Sequence, residues 1–329
     1  MEIAVVILNW NGKALLEHFL PSVIANSHEA DIYVVDNAST DDSVKFIKNH
    51  FPSVNIIRNK KNSGFAKGYN DALKQINADI FCLLNNDVEV SEGWLNPIIS
   101  LFRSNSKTVV IQPKILNYHK KDYFEYAGAA GGFIDKYGYP YCRGRIFNTI
   151  EKDLGQYNDT SPIFWASGAC FFIRSATFKS LGGFDESFFA HMEEIDLCWR
   201  IQNSGHDITY CSSSVVYHVG GATLNNLDPK KTFLNFRNSL YALAKNAKGT
   251  LICLIFPRLL LDGMAGLKFL LELKPKHTFA IIKAHFTFYV RLKQLMRQRR
   301  NSHTQIKYYK RPSIVIDYFI KRKKYYKSL

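Results

Sequence analysis

The sequence predicts an α/β protein: a doubly wound, mainly parallel β-sheet with flanking helices, followed by a helical, basic C-terminal segment. Three observations lead to this prediction. Short apolar runs alternate with helical patterns through the first third of the 329 residues, as in successive βαβ units. Three of the apolar runs end in Asn and Asp residues, which indicates one polar rim along a sheet edge. The net charge of +15 is concentrated after residue 229.

The first two strands begin this alternation. Ile3–Leu8 is an unbroken apolar run that ends at Asn9, and the pattern over residues 14–25 predicts a helix. The second strand, Asp31–Val35, ends at Asp36. Buried parallel strands read as continuous apolar runs, so we expect the carboxyl ends of both strands to lie at one edge of the sheet.

The third and fourth strands extend that edge. The third is Val54–Arg58, and a loop over residues 62–68 leads from it into a helix through residues 70–75. The fourth, Ile80–Leu84, is apolar throughout and then turns polar at once. The polar residues that follow it are Asn85, Asn86 and Asp87. A carboxylate flanked by amides at a strand end can hold a hard divalent cation beside a diphosphate, or can simply turn the chain.

The middle of the chain is less regular, and residues 117–160 predict loops and short hairpins. A helix is expected over Met192–Gln202, with Glu193, Glu194 and Asp196 near its start. Strands are expected over residues 208–211 and 215–217, the second ending at His218. The three carboxylates are either a solvated acidic first turn or the source of a general base whose pKa is raised by acidic neighbours.

Several function classes are disfavoured. The six cysteines include no Cys-x-x-Cys pair, which argues against zinc and is typical of reduced thiols in a cytosolic protein. The chain begins directly in a strand, with no signal peptide. Its apolar runs fall short of the ~20 residues that a spanning helix needs. A dinucleotide fingerprint and a Walker loop are both missing from the sequence.

The C-terminal segment, residues 230–329, differs in charge from the body, residues 1–229. It contains 23 Lys and Arg residues and three acidic ones, whereas the body is mildly acidic. Three interpretations stay open: an interfacial membrane anchor, a nucleic-acid surface in which tyrosines stack bases, and a helical lid packed on the body. A hydrophobic stretch, 251–273, followed by a basic amphipathic helix favours an anionic membrane surface, and no nucleic-acid-binding motif is present.

Seven stretches, taken together and in order, resemble the inverting glycosyltransferases of family 2, which have a GT-A fold. The resemblance is greatest to rhamnosyltransferase-like bacterial members that build surface polysaccharides, and it covers about residues 1–225. The stretches are Val5–Gly12, Val34–Asp41, Asn62–Asn70, Leu84–Asp87, Ser167–Ala169, Gly182–Glu186, and Glu193–Arg200 together with His218.

The resemblance implies a role for each site residue. Asp36 would bind the pyrimidine base, and Ser167 and Gly168 would lie against the donor sugar. The rest of the donor site would be Leu8, Asn9, Gly64, Lys67, Asn70, Asn85 and Asn86. Asp87 would hold a divalent metal, Mg²⁺ or Mn²⁺, with His218 as a further ligand. Glu194 stands at the position of the general base, and Asp196 is the second candidate.

The resemblance also implies the reaction and its location. A sugar would move, with inversion, from a dTDP- or UDP-linked donor to a polyprenyl-linked glycan acceptor, in the synthesis of a surface polysaccharide. The enzyme would be cytoplasmic and peripheral on the inner leaflet, with no nucleic-acid partner. Two departures, Asn85 and Glu194 where the family has Asp, leave a catalytically silent binding protein as the alternative. A nucleotidyltransferase ranks last, because residues 9–13 form no Gly-rich basic loop.

Overall fold

A central β-sheet organises this computed structural model, which describes residues 1–220, 228–300 and 306–329. The strands in chain order are β1 Ile3–Asn9, β2 Asp31–Asp36, β3 Asn55–Arg58, β4 Ile80–Asn85, β5 Val88–Val90, β6 Thr108–Asn117, β7 Gly132–Ile134, β8 Pro140–Cys142, β9 Arg145–Ile146, β10 Thr149–Ile150, β11 Thr160–Pro162, β12 Cys170–Arg174 and β13 Asp207–His218. The helices are α1 Lys13–Asn26, α2 Ser43–His50, α3 Gly64–Leu73, α4 Leu95–Ser104, α5 Ser175–Ser180, α6 Glu193–Asn203, α7 Pro229–Asn246, α8 Leu251–Leu271 and α9 Pro275–Arg300.

The order of strands in the central sheet is β11-β13-β6-β12-β4-β1-β2-β3, with β5 paired to β13. The first four strands of the βαβ units, β3-β2-β1-β4, are parallel, and β6 is parallel to β13. Strand β12 runs antiparallel between β4 and β6. The predicted α/β fold with a mainly parallel central sheet is therefore confirmed, with antiparallel strands inserted on one side.

Both faces of the sheet are covered, which explains the unbroken apolar runs. Successive side chains of a strand point to opposite faces. In β1, Val5 belongs to the apolar cluster that contains Leu20 of α1, whereas Val6 belongs to the cluster that contains Tyr69 of α3. A strand that is buried on both sides has no polar face to show in its sequence.

The register of the parallel strands brings their carboxyl ends together. Asn9 at the end of β1 is level with Asp36 of β2, and Leu8 is level with Asn85 of β4. The last residue of β13, His218, pairs with Val88 just after the end of β4. The polar residues that follow separate apolar runs in the sequence therefore occupy one edge of the sheet.

Several element boundaries differ from the predicted ones. Helix α3 begins at Gly64 rather than near residue 70. A Cβ on Gly68 would lie 3.0 Å from Cδ1 of Leu8, so this glycine allows α3 to pack closely on β1. The two predicted strands before His218 are one strand, β13, with an irregular register between Cys211 and Val215. Polar serines at 212–214 interrupted the apolar pattern there, as expected at a bulge.

The helices after residue 229 share the core of the body. Helix α7 contributes Leu240 and Tyr241 to the same apolar cluster as the sheet, and the tail contributes Ile314. The backbone N–H of Ile314 donates to Asp135 at 2.9 Å. The domain boundary at residue 229 stays a prediction from composition, and packing is continuous across it. Among the described residues, no helix combines the length and the apolar character needed to cross a membrane.

Lys245 of α7 forms a buried ionic link to the body. Its Nζ lies 2.5 Å from Asp185 and 2.9 Å from Asp196, and both Lys245 and Asp196 are buried. Burial alone would raise the pKa of Asp185, but Lys245 lowers it to about 2. The ammonium group therefore compensates two carboxylates, Asp185 ahead of α6 and Asp196 in its first turn.

Replacing Lys245 by methionine is expected to lower the free energy of unfolding by about 3–5 kcal/mol, because it leaves buried carboxylate charge uncompensated. Urea unfolding of the full chain measures this loss. The control is Lys248→Met at an exposed position of the following turn, where the change should stay within about 0.5 kcal/mol. Equal stabilities of the two variants would contradict a stabilising role for the contacts of Lys245 with Asp185 and Asp196.

Candidate active site

The carboxylate of Asp36 lies at the edge of the sheet, and one of its oxygens accepts no hydrogen bond. The residue is buried, and its Oδ1 accepts from the backbone N–H of Ser39 at 3.3 Å. Its Oδ2 is buried without a hydrogen-bond partner, with Nε of Arg58 3.8 Å away. A buried acceptor without a donor is destabilising, so this oxygen is well suited to accept an N–H from a ligand.

Asn9 and Asn86 join the ends of β1 and β4. The amide of Asn86 donates to Oδ1 of Asn9 at 2.9 Å, and the amide of Asn9 donates to Ser39 at 3.4 Å. A Cβ on Gly12 would lie 2.4 Å from both amide groups, so only glycine fits beside this pair. These bonds fix the loops that surround Asp36.

The loop before α3 is tied to the segment before α6. Gly64 has φ +85°, and a Cβ there would lie 2.5 Å from the carbonyl oxygen of Phe189. The backbone N–H of Phe65 donates to the same carbonyl at 2.8 Å. The two stretches are therefore held together across the mouth of the site.

Asp87 and His218 form a close pair at the ends of β4 and β13. Oδ1 of Asp87 lies 3.1 Å from Nε2 of His218, and both side chains are buried. The amide of Asn85 lies 3.3 Å from the same nitrogen. On the other side of the imidazole, Nδ1 lies 3.4 Å from Glu125. Burial alone would lower the pKa of His218, but Glu125 and Asp87 raise it to about 10.

The pair has the spacing to hold a divalent cation once the imidazole gives up its proton, as a metal ligand must. Adjacent ligands of an octahedral ion at about 2.1 Å lie about 3.0 Å apart, close to the 3.1 Å between Asp87 and His218. The carboxylate oxygen suits Mg²⁺ and Mn²⁺. Within residues 1–220, 228–300 and 306–329, no cluster of three or more His, Cys, Asp or Glu side chains is arranged to hold an ion. The protein donors described are therefore these two, with Asn85 beside them.

Glu193 and Glu194 open helix α6. Glu194 is partly exposed, but its Oε2 is buried without a partner, and so is Oε2 of Glu193. Burial raises the pKa of Glu194 to about 7. Burial and the neighbouring Glu194 raise the pKa of Glu193 well above its usual value. A carboxyl with a pKa near 7 is suited to general-base chemistry at neutral pH.

Residues 167–169 connect this carboxylate to the strand ends. A Cβ on Gly168 would lie 3.9 Å from Cδ of Glu194. The next carbonyl, of Ala169, accepts from the backbone N–H of Asn85 at 2.9 Å. Ser167 is buried, with its N–H donating to Gln112 at 2.9 Å. Glu194, beside Gly168, and Asn85, bonded to Ala169 and 3.3 Å from His218, thus lie at neighbouring residues of one short segment.

Backbone strain marks the segment before α6. Phe189, His191 and Met192 have φ values of 65°, 68° and 71°, in the left-handed region. Each such residue costs about 1–3 kcal/mol and persists only where the surroundings enforce it. The amide of Asn238 in α7 supplies part of that enforcement, donating to three carbonyls of this segment at 2.7–3.0 Å. The strain fixes the direction in which α6 presents its first carboxylates.

Comparison with known proteins identifies the family. The model of glycosyl transferase family 2 matches residues 4–182, more than half of the chain. The chain belongs to glycosyl transferase family 2. The matched range contains Asp36, Asp87 and Gly168, and Glu194 and His218 follow it.

Two curated relatives of this glycosyltransferase cover most of its length. It is 22% identical over 249 residues to the low-salt glycan biosynthesis hexosyltransferase Agl10 of Haloferax volcanii, covering 73% of this chain and 75% of the relative. It is 24% identical over 233 residues to N-acetylglucosaminyl-diphospho-decaprenol L-rhamnosyltransferase of Mycobacterium tuberculosis, covering 65% and 75%. The predicted resemblance to rhamnosyltransferase-like members of the family is confirmed.

A solved structure supports the fold of the glycosyltransferase. GalNAc-T7, crystallised with UDP, GalNAc and Mn²⁺, superposes with a TM-score of 0.57 at 16% identity. The match covers 74% of this chain and 48% of that one, so the chain spans about half the length of this neighbour. The likeness confirms the GT-A fold.

The side chains of three predicted site residues of this glycosyltransferase form contacts away from the strand ends. Asp196, the second candidate base, is fully buried and lies 2.9 Å from both Arg200 and Lys245. Burial would raise its pKa, but these cations lower it, so its contacts are those of a structural carboxylate and its role as a base stays a prediction. The amide of Asn70 makes two bonds of 2.9 Å with the backbone of Phe184. It therefore positions the chain there instead of facing the strand ends.

Lys67 is the third, and it lies on the outer side of α3. Its Nζ is 3.0 Å from Asp71 and 3.4 Å from Glu186, with about a third of the side chain exposed. Leu8 lies beside the strand ends, where its backbone N–H donates to the Tyr69 hydroxyl at 3.4 Å. Their roles at the donor site of this glycosyltransferase stay predictions.

Glu125 is the site residue that the sequence analysis missed. It lies in the irregular region 117–160, yet it is buried against His218. A Cβ on Gly220 would lie 2.8 Å from its Oε1, which keeps the turn after β13 close to it. A single carboxylate between two aromatic residues, Phe124 and Tyr126, was the only signal in the sequence, and it is a weak one.

Proposed function

We propose that this glycosyltransferase moves a sugar from a dTDP- or UDP-linked donor to a glycan acceptor, with inversion at the anomeric carbon. The observation that carries the proposal is the position of Glu194. A carboxylate with a pKa near 7 lies against Gly168, and the next residue, Ala169, is hydrogen-bonded to Asn85, whose amide reaches His218 of the Asp87–His218 pair. A general base and a site for the leaving diphosphate are the two requirements of a single displacement.

Each group has a separate task in the displacement. Glu194 accepts the proton of the acceptor hydroxyl while that oxygen attacks the anomeric carbon. Asp87 and His218 would hold a divalent cation, Mg²⁺ or Mn²⁺, which acts as a Lewis acid toward the departing diphosphate. Gly168 leaves room for the donor sugar beside Glu194. The displacement needs no covalent enzyme nucleophile.

Asp36 supports a pyrimidine donor. Its buried Oδ2 lacks a donor, and the imide N–H of uracil or thymine is a hydrogen-bond donor of the required kind. The Mn²⁺ complex of GalNAc-T7 contains UDP, in line with this assignment. The nucleotide would lie across the ends of β1 and β2, with its diphosphate directed toward Asp87.

The acceptor side is proposed from the relatives and from charge. The mycobacterial relative is named for an N-acetylglucosaminyl-diphospho-decaprenol substrate, which supports a polyprenyl-linked acceptor in surface-polysaccharide synthesis. A lipid-linked acceptor places the reaction at a membrane. The excess of 23 basic over three acidic residues after residue 229 supports peripheral attachment to the anionic inner leaflet, from the cytoplasmic side.

Calorimetric titration with UDP, dTDP and GDP, each with and without Mn²⁺, tests this function. We expect Mn²⁺-dependent binding of a pyrimidine diphosphate and weaker binding of GDP. Asp36→Ala should lower the affinity for the pyrimidine diphosphate by about tenfold, as expected for the loss of one hydrogen bond to a charged group. The control is Asp42→Ala, at an exposed residue near the same strand end.

The opposite results have definite meanings. Binding that is equal with and without Mn²⁺ would contradict the metal assignment. If nucleotide binds but no transfer to any polyprenyl-linked glycan follows, the chain is the catalytically silent binding protein that Asn85 and Glu194 leave as the alternative. Tighter binding of GDP than of UDP and dTDP would overturn the role of Asp36.

A further inference from the structure

The outward side of helix α8 is apolar over its whole length. Six side chains recur at intervals of three or four residues, and each is more than half exposed. They are Ile252, Phe256, Leu260, Met264, Leu267 and Leu271. Because residues at this spacing share one side of a helix, they form a continuous apolar stripe.

Two charged residues in the middle of α8 point into the protein instead. Arg258 and Asp262 are almost completely buried and lie 2.8 Å apart. Asp262 also accepts from the Tyr139 hydroxyl at 2.6 Å, and it lies 3.1 Å from Nε2 of His285 in α9. A helix on the surface of a soluble domain has the opposite arrangement. The buried pair Arg258 and Asp262, called the polar anchor, thus fixes the orientation of α8 with the apolar stripe facing outward.

Helix α9 continues the exposed apolar surface. It packs against α8 through contacts that include Thr278, whose hydroxyl donates to the carbonyl of Gly266 at 2.8 Å. The side chains that it leaves exposed, by 52–69%, are Phe279, Ile282, Phe286, Tyr289 and Val290. The stripe of α8 and these residues together are called the hairpin face. Soluble monomers rarely expose so many neighbouring apolar side chains.

Charge decides between the possible occupants of the hairpin face. Residues 263–300 contain nine Lys and Arg residues and a single acidic one, Glu272. That carboxylate lies 2.7 Å from Lys268 and 3.0 Å from Lys274. A second copy of the chain would bring like charges together, and a nucleic acid would leave the aliphatic residues in water. An anionic lipid surface satisfies both the apolar and the basic residues.

We propose that the hairpin face inserts into the interfacial layer of an anionic bilayer, with the surrounding lysines and arginines at the headgroups. The proposal rests on the proposed function only for the presence of a membrane at the reaction site. The anchor of Arg258 and Asp262 makes the insertion rigid, so the catalytic edge of the sheet would keep one orientation toward the lipid surface. A lipid-linked acceptor would then reach Glu194 from a constant height.

Cosedimentation of the full chain with vesicles tests the proposal. Wild-type protein should bind vesicles that contain phosphatidylglycerol and bind pure phosphatidylcholine more weakly. The double variant Leu260→Asp/Phe286→Asp should lose at least about tenfold in vesicle affinity. Leu154→Asp is the matched control, because Leu154 is 78% exposed and lies outside the hairpin. Charge reversal by Lys276→Glu/Lys283→Glu should weaken binding to the anionic vesicles alone.

A second measurement reports insertion directly. In Phe286→Trp, tryptophan emission should shift to shorter wavelength with anionic vesicles and be quenched by brominated lipid. Unshifted emission, or equal binding by Leu260→Asp/Phe286→Asp and Leu154→Asp, would overturn the proposal. So would a wild-type dimer without lipid that Leu260→Asp/Phe286→Asp dissociates, since the face would then join two copies. Nucleotide calorimetry without vesicles tests the proposed function separately.

Discussion

Replacing Glu194 by glutamine is expected to lower kcat by about 10²- to 10⁴-fold, the range of a lost general base. Glutamine keeps the size of the side chain but cannot accept the proton of the acceptor hydroxyl. The donor should bind with unchanged affinity, because the residue faces Gly168 and not the nucleotide end of the site. Initial rates with the donor sugar and a polyprenyl-linked glycan give kcat, and calorimetry gives the donor Kd.

Glu193→Gln is the matched control for this experiment. Burial and the neighbouring carboxylate raise the pKa of Glu193 well above its usual value, and glutamine keeps the size of this buried side chain. We expect kcat to change far less than in Glu194→Gln. If Glu193→Gln is the more impaired of the two, the base is Glu193. A loss of donor affinity in Glu194→Gln would place this residue in the donor site.

The pH profile gives an independent check on the same residue. Burial raises the pKa of Glu194 to about 7, and only the deprotonated form can accept a proton. The wild-type rate should therefore fall about tenfold for each pH unit below 7 and level off above it. An ordinary exposed glutamate would put the limb near pH 4.3. A rate that stays constant between pH 5 and 8 would contradict the role of Glu194.

The edge of the sheet could be predicted from sequence because its geometry follows from local pattern. Asn9, Asp36 and Asn85 each come directly after an apolar run, and parallel strands put their carboxyl ends together. The observed register brings these ends level with one another. No long-range information is needed for this step. The family resemblance then added Glu194 and His218, which lie far along the chain.

The partners of buried charges could not be predicted in the same way. Hydropathy assigns Glu125, Lys245 and Arg258 to the surface, yet each is buried against a specific partner. Glu125, for example, lies 93 residues before its partner His218 in the chain. Tertiary packing, not local pattern, selects such pairs. The same limit explains why Asp196 looked like a candidate base.

The hydrophobic stretch 251–273 shows how hydropathy assigns buried charged residues to the surface. Arg258 and Asp262 interrupt its apolar pattern, and the sequence alone gives no reason to expect an uninterrupted helix there. Four residues apart on one side of α8, they pair with each other and turn toward Tyr139 and His285. The two charged residues that interrupt the apolar pattern therefore lie on the buried side of the helix. The exposed side is the apolar stripe that runs from Ile252 to Leu271.

Replacing Asp87 by alanine is expected to abolish Mn²⁺-dependent turnover, with a loss of about 10³-fold or more. A metal acting as a Lewis acid contributes several kcal/mol to the transition state, and 1.36 kcal/mol corresponds to a factor of ten. The described protein donors are Asp87 and His218, with the amide of Asn85 nearby. Removing the carboxylate leaves one imidazole and neutral groups, which cannot retain the ion at ordinary concentrations.

The measurement compares nucleoside diphosphate binding and turnover of wild type and variant across a Mn²⁺ titration. Glu89→Ala is the control, since Glu89 lies two residues further on, in β5, where its carboxylate pairs with Lys121. The control should keep the wild-type dependence on Mn²⁺. Asp87→Ala should bind the diphosphate equally with and without the ion, because His218 alone would not hold the cation that would interact with the diphosphate. A variant that still gains affinity from Mn²⁺ would move the metal site away from the ends of β4 and β13.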